Sequence, residues 1–234
     1  MSEMLSNLKE APLEIWIVFG VLVIAALIAL ILFRKNKNTS FKKMNTRVLV
    51  LGGMCIALSF ILSFFKLMRM PQGGSITLAS MFPLALYAFV FGPVAGTIAG
   101  FAYGILDFIQ EAYAAHWISI LLDYPLAYAC LGIVGFIPML FKRTTKKNVF
   151  FSSISFQFTL GLFIALSCRF FMHLLSGVVF FAEYAPEGMN PWAYSAGYNI
   201  SFLSIEFIIT SIIGIILIST PIYKSLKITA SQIN

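Results

Sequence analysis

Charged side chains are scarce in this sequence. Lysine, arginine, aspartate and glutamate together make 11% of the 234 residues, 60% are hydrophobic, and the mean hydropathy is +0.93. Soluble domains carry about 25% charged and about 45–50% apolar residues. A chain this apolar cannot hide its surface in one soluble core, which argues against a soluble enzyme, and the same numbers exclude disorder and collagen. Cysteine is sparse: Cys55, Cys130 and Cys168 all fall in apolar runs, where they read as small core residues rather than a disulfide scaffold. There are two histidines and no CxxC or His-rich metal pattern. No GxxxxGK(S/T) phosphate loop is present, so the chain does not hydrolyse ATP by that route, and HExxH and GxSxG are also missing. The two halves show no inverted repeat of the kind many secondary carriers have. What is abundant is phenylalanine, 24 residues, and long apolar runs. The fold class these imply is all-α, a polytopic bundle of membrane helices.

A helix needs roughly 20 apolar residues to cross the hydrocarbon core. Seven runs qualify as expected spans: Ile15–Phe33, Val48–Phe65, Ile76–Phe91, Val94–Ile109, Trp117–Phe141, Val149–Phe181 and Ile200–Pro221. Gly92 and Pro93 make a tight turn between the third and fourth. The sixth is too long for a perpendicular crossing and must tilt or leave the lipid at its outer end. The first follows Glu3, Glu10 and Glu14, precedes Arg34, Lys35 and Lys37, and lacks a clear Ala-x-Ala site, so it reads as a retained anchor with its N-terminus outside.

Charge sets the orientation. With the N-terminus outside, the inner segments hold Arg34, Lys35, Lys37, Lys42, Lys43, Arg47, Lys142, Arg143, Lys146, Lys147, Lys224 and Lys227, against Lys9, Lys66 and Arg69 outside. Basic residues accumulate on the cytoplasmic side. The acids lie the other way. Eight of nine, including Asp107, Glu111, Asp123, Glu183 and Glu187, sit at outer ends or loops, and Glu206 alone lies deep. An acid-lined mouth that draws in a cation accounts for this, and solvated loop charge is the plainer alternative.

Gly92, Gly96, Gly100 and Gly104 recur every four residues and form one smooth helical stripe, suited to close packing of a neighbouring helix. Gly53 and Ala57 form a second small pair, which either packs internally or docks a partner.

Ionisable groups inside spans are costly and mark functional sites. Asp123 lies six residues past Trp117, about 9 Å below the outer start of its span. Keeping it charged takes a cation, from a ligand or from Arg169. Arg169, His173, Gly177 and Phe181 share one helix face at four-residue spacing. They present a charge, an imidazole, a gap able to seat a flat ring, and an aromatic plate. Tyr194 and Asn199 follow a Pro- and Gly-bearing outer loop and stand at the mouth of the last span. Tyr113, His116 and Trp117 lie in or beside the loop before Asp123, where aromatics also form interfacial belts. The polar, Gly-rich run from Pro71 to Ser80 covers a site or simply turns the chain.

The run Arg169-Phe-Phe-Met-His173-Leu-Leu-Ser-Gly177-Val-Val-Phe-Phe181-Ala-Glu-Tyr184-Ala-Pro186-Glu-Gly188-Met-Asn-Pro191-Trp-Ala-Tyr194, with Asn199 beyond it and Asp123-Tyr124-Pro-Leu-Ala before it, resembles the thiamine-specific substrate-binding (S) component of energy-coupling factor vitamin transporters. The resemblance runs from about residue 46 to 225. It implies a six-helix S-component core over 45–225, preceded by an N-terminal tail, an extra transmembrane helix and a basic linker over 1–44, and followed by a cytoplasmic tail over 226–234. It further implies a multi-pass protein of a bacterial cell membrane that captures thiamine from outside and joins a transmembrane coupling subunit and two ATPase subunits. The chain itself would need no cofactor, since ATP is used by those partners. The binding motif of the family falls on Tyr113, Asp123, Tyr124, His173, Gly177, Phe181, Tyr194 and Asn199, and its coupling-subunit contact on Gly53 and Ala57. The family's best-known form has Glu at Asp123, Trp at Phe181 and a further Trp before the third span.

The residues agree with that chemistry. Thiamine is a permanent thiazolium cation joined to an aminopyrimidine. A carboxylate compensates the charge, aromatic faces stack on the rings, and Asn and His pair with the pyrimidine edge. Three other readings stand beside it: an S component for another cationic or aromatic vitamin, an intramembrane enzyme using Asp123 and His173 as acid and base, and a ligand-free scaffold. The enzyme reading lacks a supported nucleophile, since Ser176 sits on the same helix as His173 with no second activating group.

Overall fold

A computed structural model describes residues 45–111, 113, 115–141 and 153–232. The expected first span over 15–33, its acidic tail, its basic linker and the basic segment 142–148 lie outside these residues.

The described chain forms a helical bundle. Helix α1 is Thr46–Ser63, opened by Asn45, whose side chain accepts from the backbone N–H of Val48. A small antiparallel hairpin follows, β1 Lys66–Arg69 and β2 Ser75–Thr77, joined by a tight turn over Pro71–Gly73. Helix α2 is Phe82–Phe91 and α3 is Pro93–Gln110. The break between them is Gly92 at φ 99°, with Pro93 at the first helical position. Helix α4 runs Trp117–Phe141, α5 Ile154–Phe180, α6 Pro191–Ile218 and α7 Pro221–Gln232. Helices α1, α4, α5 and α6 are long and apolar enough to cross a membrane, and the protein is a multi-pass membrane protein.

Two expected spans differ in the structure. The third, placed at Ile76–Phe91, is helical only from Phe82, because Ser75–Thr77 pair with β1 and Pro83 marks the helix start. The hairpin is also an addition to an otherwise all-α fold. The last span, placed at Ile200–Pro221, begins at Pro191, where Asn190 caps Trp192 and proline occupies the first turn. Tyr194 and Asn199 are therefore helical from the outset. Residues 226–232 belong to α7, whose Tyr223 ring lies 6.1 Å from Phe89 of α2.

Helix α5 packs between α4 and α6, and α3 packs on α1, α2 and α4. The glycine stripe makes the α3–α4 contact. A Cβ at Gly100 would stand 2.2 Å from the Tyr128 carbonyl oxygen, and one at Gly104 would stand 2.5 Å from that of Tyr124. Glycine is thus required by close approach. Helix α4 is irregular to match: it widens to a π turn over Leu122–Leu126 around Pro125, then tightens to a 3-10 turn over Cys130–Phe136. Proline supplies no N–H for the regular ladder, and such π insertions recur at functional sites. Here the turn carries Asp123. Cys130 on α4 and Cys168 on α5 are free thiols with sulfurs 3.2 Å apart.

On α1 the helix contact is made by Gly52, where a Cβ would meet the Tyr87 hydroxyl at 2.8 Å. Gly53 and Ala57 are exposed, and among the described residues nothing lies within 4 Å of a Cβ built at Gly53. Leu49, Val50, Met54, Leu58 and Ile61 are also exposed.

Candidate functional site

Helices α3, α4, α5 and α6 and the hairpin enclose a cavity of about 1010 Å³, counted out to its open mouth. Tyr113, Asp123, Tyr124, His173, Gly177, Phe181, Tyr194 and Asn199 all line it. The fold thus brings together, from four separate stretches of sequence, every residue singled out for binding.

Asp123 projects from the π turn of α4 toward α5. His173 Nδ1 lies 2.8 Å from its Oδ1, and the Ser176 hydroxyl donates to its Oδ2 at 2.5 Å. Arg169 donates from Nε to His173 Nε2 at 3.1 Å. A guanidinium N–H is always a donor, so Nε2 must accept, and the imidazole proton is left on Nδ1, facing Asp123. The carboxylate therefore receives two donors, from His173 and Ser176. Arg169 is not the partner of Asp123 that its charge suggested. It is buried beneath His173, with its Cζ 3.9 Å from the Tyr128 ring centroid and Nη1 2.7 Å from the Met81 sulfur. Ser176 sits three residues from His173 on the same face of α5, and that spacing is the signal for its part in holding Asp123.

The gap expected at Gly177 is occupied. A Cβ there would meet Ser195 Oγ at 2.1 Å, so the glycine admits α6 as well as bordering the cavity. Ser195 and Asn199 meet one turn apart on α6: Asn199 Nδ2 donates to the Ser195 carbonyl at 2.9 Å, which leaves the amide oxygen to accept from a ligand.

Aromatic rings frame the mouth. Tyr113 and Phe181 stack with centroids 5.8 Å apart and 17° between planes. Tyr113 also donates to the Tyr184 hydroxyl at 3.4 Å, and that neighbouring phenol pushes the Tyr113 hydroxyl up to about 12. The plate stays uncharged at neutral pH. The Tyr124 hydroxyl accepts from the Tyr113 N–H and donates to the Glu111 carbonyl, which ties both residues to α4. His116 does not face the cavity: it caps α4 through the Ile118 N–H and stacks on Phe180. Trp117 beside it is 64% exposed, as a membrane-belt residue would be.

The run from Pro71 to Ser80 forms a wall of the cavity rather than a mere turn. Gln72, Gly73, Gly74, Ser75, Thr77 and Ser80 all line it. Tyr198 on α6 donates to the Pro71 carbonyl and accepts from the Gly74 N–H, while Tyr194 bonds Gln72 at 3.2 Å. Lys66 pairs with Glu111, and Arg69 lies 3.6 Å from the same carboxylate. Glu111 is accordingly neutralised within the protein and does not serve the acid-lined mouth. Asp107, placed at an outer helix end by sequence, lines the cavity, with Tyr103 3.4 Å from its Oδ1.

Comparison with known proteins decides the family. The thiamine transporter protein family, Thia_YuaJ, matches residues 49–225. The chain belongs to this thiamine transporter family. It is 32% identical over 178 residues to the thiamine transporter ThiT of Bacillus subtilis, covering 74% of this chain and 88% of that one. It is 29% identical over 146 residues to the thiamine transporter ThiT of Lacticaseibacillus paracasei, covering 60% and 72%. The solved structure of ThiT from Listeria monocytogenes matches 78% of this chain and 98% of its own with a TM-score of 0.60; at 23% identity that likeness shows the shared fold. A member of a thiamine transporter family is a transport protein and not an enzyme, which retires the acid–base reading of Asp123 and His173.

Proposed function

We propose that this chain captures thiamine at the outer face of a bacterial membrane, as the S component of an energy-coupling factor transporter. The reading rests on one observation above all: a carboxylate held by His173 and Ser176 faces an aromatic-framed cavity in a chain of the thiamine transporter family. The Asp123 carboxylate offsets the thiazolium charge in a site shielded from bulk water. The Tyr113, Phe181 and Tyr194 rings offer faces to the planar cation and the pyrimidine. Asn199 offers its amide oxygen to a ring-edge donor.

The chain breaks no covalent bond. Release on the inner side follows when its partners, a transmembrane coupling subunit and two ATPases, favour a conformation that holds thiamine less tightly. The exposed α1 face carrying Gly53 and Ala57 is the docking surface for the coupling subunit in this scheme. The basic residues flanking the spans support a cytoplasmic C-terminus, on the side where the ATPases act in this scheme.

Isothermal titration of the purified protein tests the reading. Thiamine is expected to bind and riboflavin and biotin are not. Asp123→Asn, which keeps the size and removes the charge, is expected to weaken thiamine at least tenfold, about 1.4 kcal/mol. Wild-type affinity in that variant removes the carboxylate from the site. Binding of a different vitamin in place of thiamine would establish an S component of other specificity.

A further inference from the structure

Glu206 on α6 is 4% exposed and lines the floor of the cavity. Its two oxygens have different surroundings. Oε1 accepts from both the backbone N–H and the hydroxyl of Thr77, the latter at 2.7 Å, and so fastens α6 to the end of the hairpin. Oε2 is buried and has no hydrogen-bond partner among the described residues. A carboxylate oxygen out of water and without a donor is a costly arrangement that calls for an explanation. Fastening the hairpin needs only Oε1, so the structural role leaves Oε2 unexplained.

The position is deep in the cavity. Glu206 lies seven residues below Asn199 on the same face of α6, roughly 10 Å deeper along the axis. Phe202 lies between them, with its ring 5.9 Å from that of His173. Asp123, at the other wall, is already supplied with two donors. The cavity thus has a satisfied carboxylate suited to a permanent cation and, deeper, a half-satisfied one suited to a hydrogen-bond donor.

We infer that Glu206 Oε2 is a specificity-determining acceptor, which takes a hydrogen bond from a neutral N–H or O–H donor that the ligand carries beyond its charged ring. The inference rests on the function proposed above. In thiamine two groups have this chemistry, the amine on the pyrimidine and the hydroxyl of the ethyl side chain.

Glu206→Gln separates the two roles of the side chain. The amide oxygen can still accept from Thr77, while the free position becomes an NH₂ donor. Titrations would compare wild type and variant with thiamine, with the analogue whose pyrimidine amine is replaced by an oxo group, and with the analogue lacking the ethyl hydroxyl. In wild type, one analogue is expected to bind at least about tenfold more weakly than thiamine. In Glu206→Gln, thiamine should weaken by a similar factor and the gap to that same analogue should shrink below about threefold, since the lost bond cannot be lost twice. The analogue whose gap closes identifies the donor.

Full thiamine affinity in Glu206→Gln, which copies a protonated carboxyl, overturns the inference. So do gaps that stay unchanged for both analogues. If the variant does not fold, wild-type protein that fails to distinguish either analogue from thiamine overturns it without the substitution. Wild-type protein that binds no thiamine overturns the proposed function and this inference with it. Thiamine binding with no discrimination at the two donors overturns the inference alone.

Discussion

Ser176 holds one oxygen of Asp123 and His173 the other, so the carboxylate is fixed before any ligand arrives. That preorganisation is worth affinity, because the side chain does not have to be ordered on binding. Hydrogen bonds to a charged group contribute about 1.5–3 kcal/mol. Ser176→Ala is therefore expected to lower thermal stability by about 1.5–3 kcal/mol and, by freeing the carboxylate, to weaken thiamine several-fold, as melting and titration in detergent would show. Unchanged affinity would mean that His173 alone positions the carboxylate. The lesson at this scale concerns Arg169. Its charge made it the natural partner for Asp123 on paper, but it is one turn too deep, and it orients His173 instead.

Among the elements, the α3–α4 pair shows how glycine spacing becomes a contact. The four-residue repeat was legible in the sequence, and so was internal packing as its commoner use. Its partner was not, because nothing in α4 marks the face that receives it. A Cβ at Gly100 would overlap backbone, which cannot swing aside as a side chain can. Gly100→Ala is expected to lower stability by about 1–3 kcal/mol, the usual cost of overpacking. Gly53→Ala has open space and is expected to be neutral or to stabilise by up to about 1 kcal/mol through helix propensity. Thermal melting of the two variants side by side checks the pair. Equal effects would mean that the α3–α4 approach is looser than described. The third expected span failed for a related reason. Ile76, Leu78 and Met81 continue the apolar run, but the Thr77 N–H is taken by Glu206 from a distant helix, and the local chain is held extended.

For the whole molecule, two adjacent glycines of α1 face opposite ways. Gly52 meets Tyr87 inside the bundle, while its neighbour Gly53 faces away from it. A leucine at Gly53 therefore touches no part of the cavity. On the coupling scheme proposed above, Gly53→Leu is expected to leave thiamine affinity unchanged and to abolish uptake in cells that carry the coupling subunit and ATPases. Normal uptake together with normal recovery of the complex would assign the coupling contact to another face.

The sequence by itself settled the solvent, the spans that are long and uninterrupted, and the residue types at the mouth. Apolar runs of membrane length, basic clusters between them and ionisable groups within them are written in composition and order. The pairing of those ionisable groups was decided only by the tertiary structure. Hydropathy separates inside from outside in water, but in lipid Leu84 at 0% exposed and Leu49 at 54% exposed are equally at home. Hydropathy along the chain could therefore not say which face of each helix turns inward. That information lies in the fit of one helix against another: glycine against carbonyl, Ser195 into the space at Gly177, and Thr77 onto one oxygen of Glu206 but not the other.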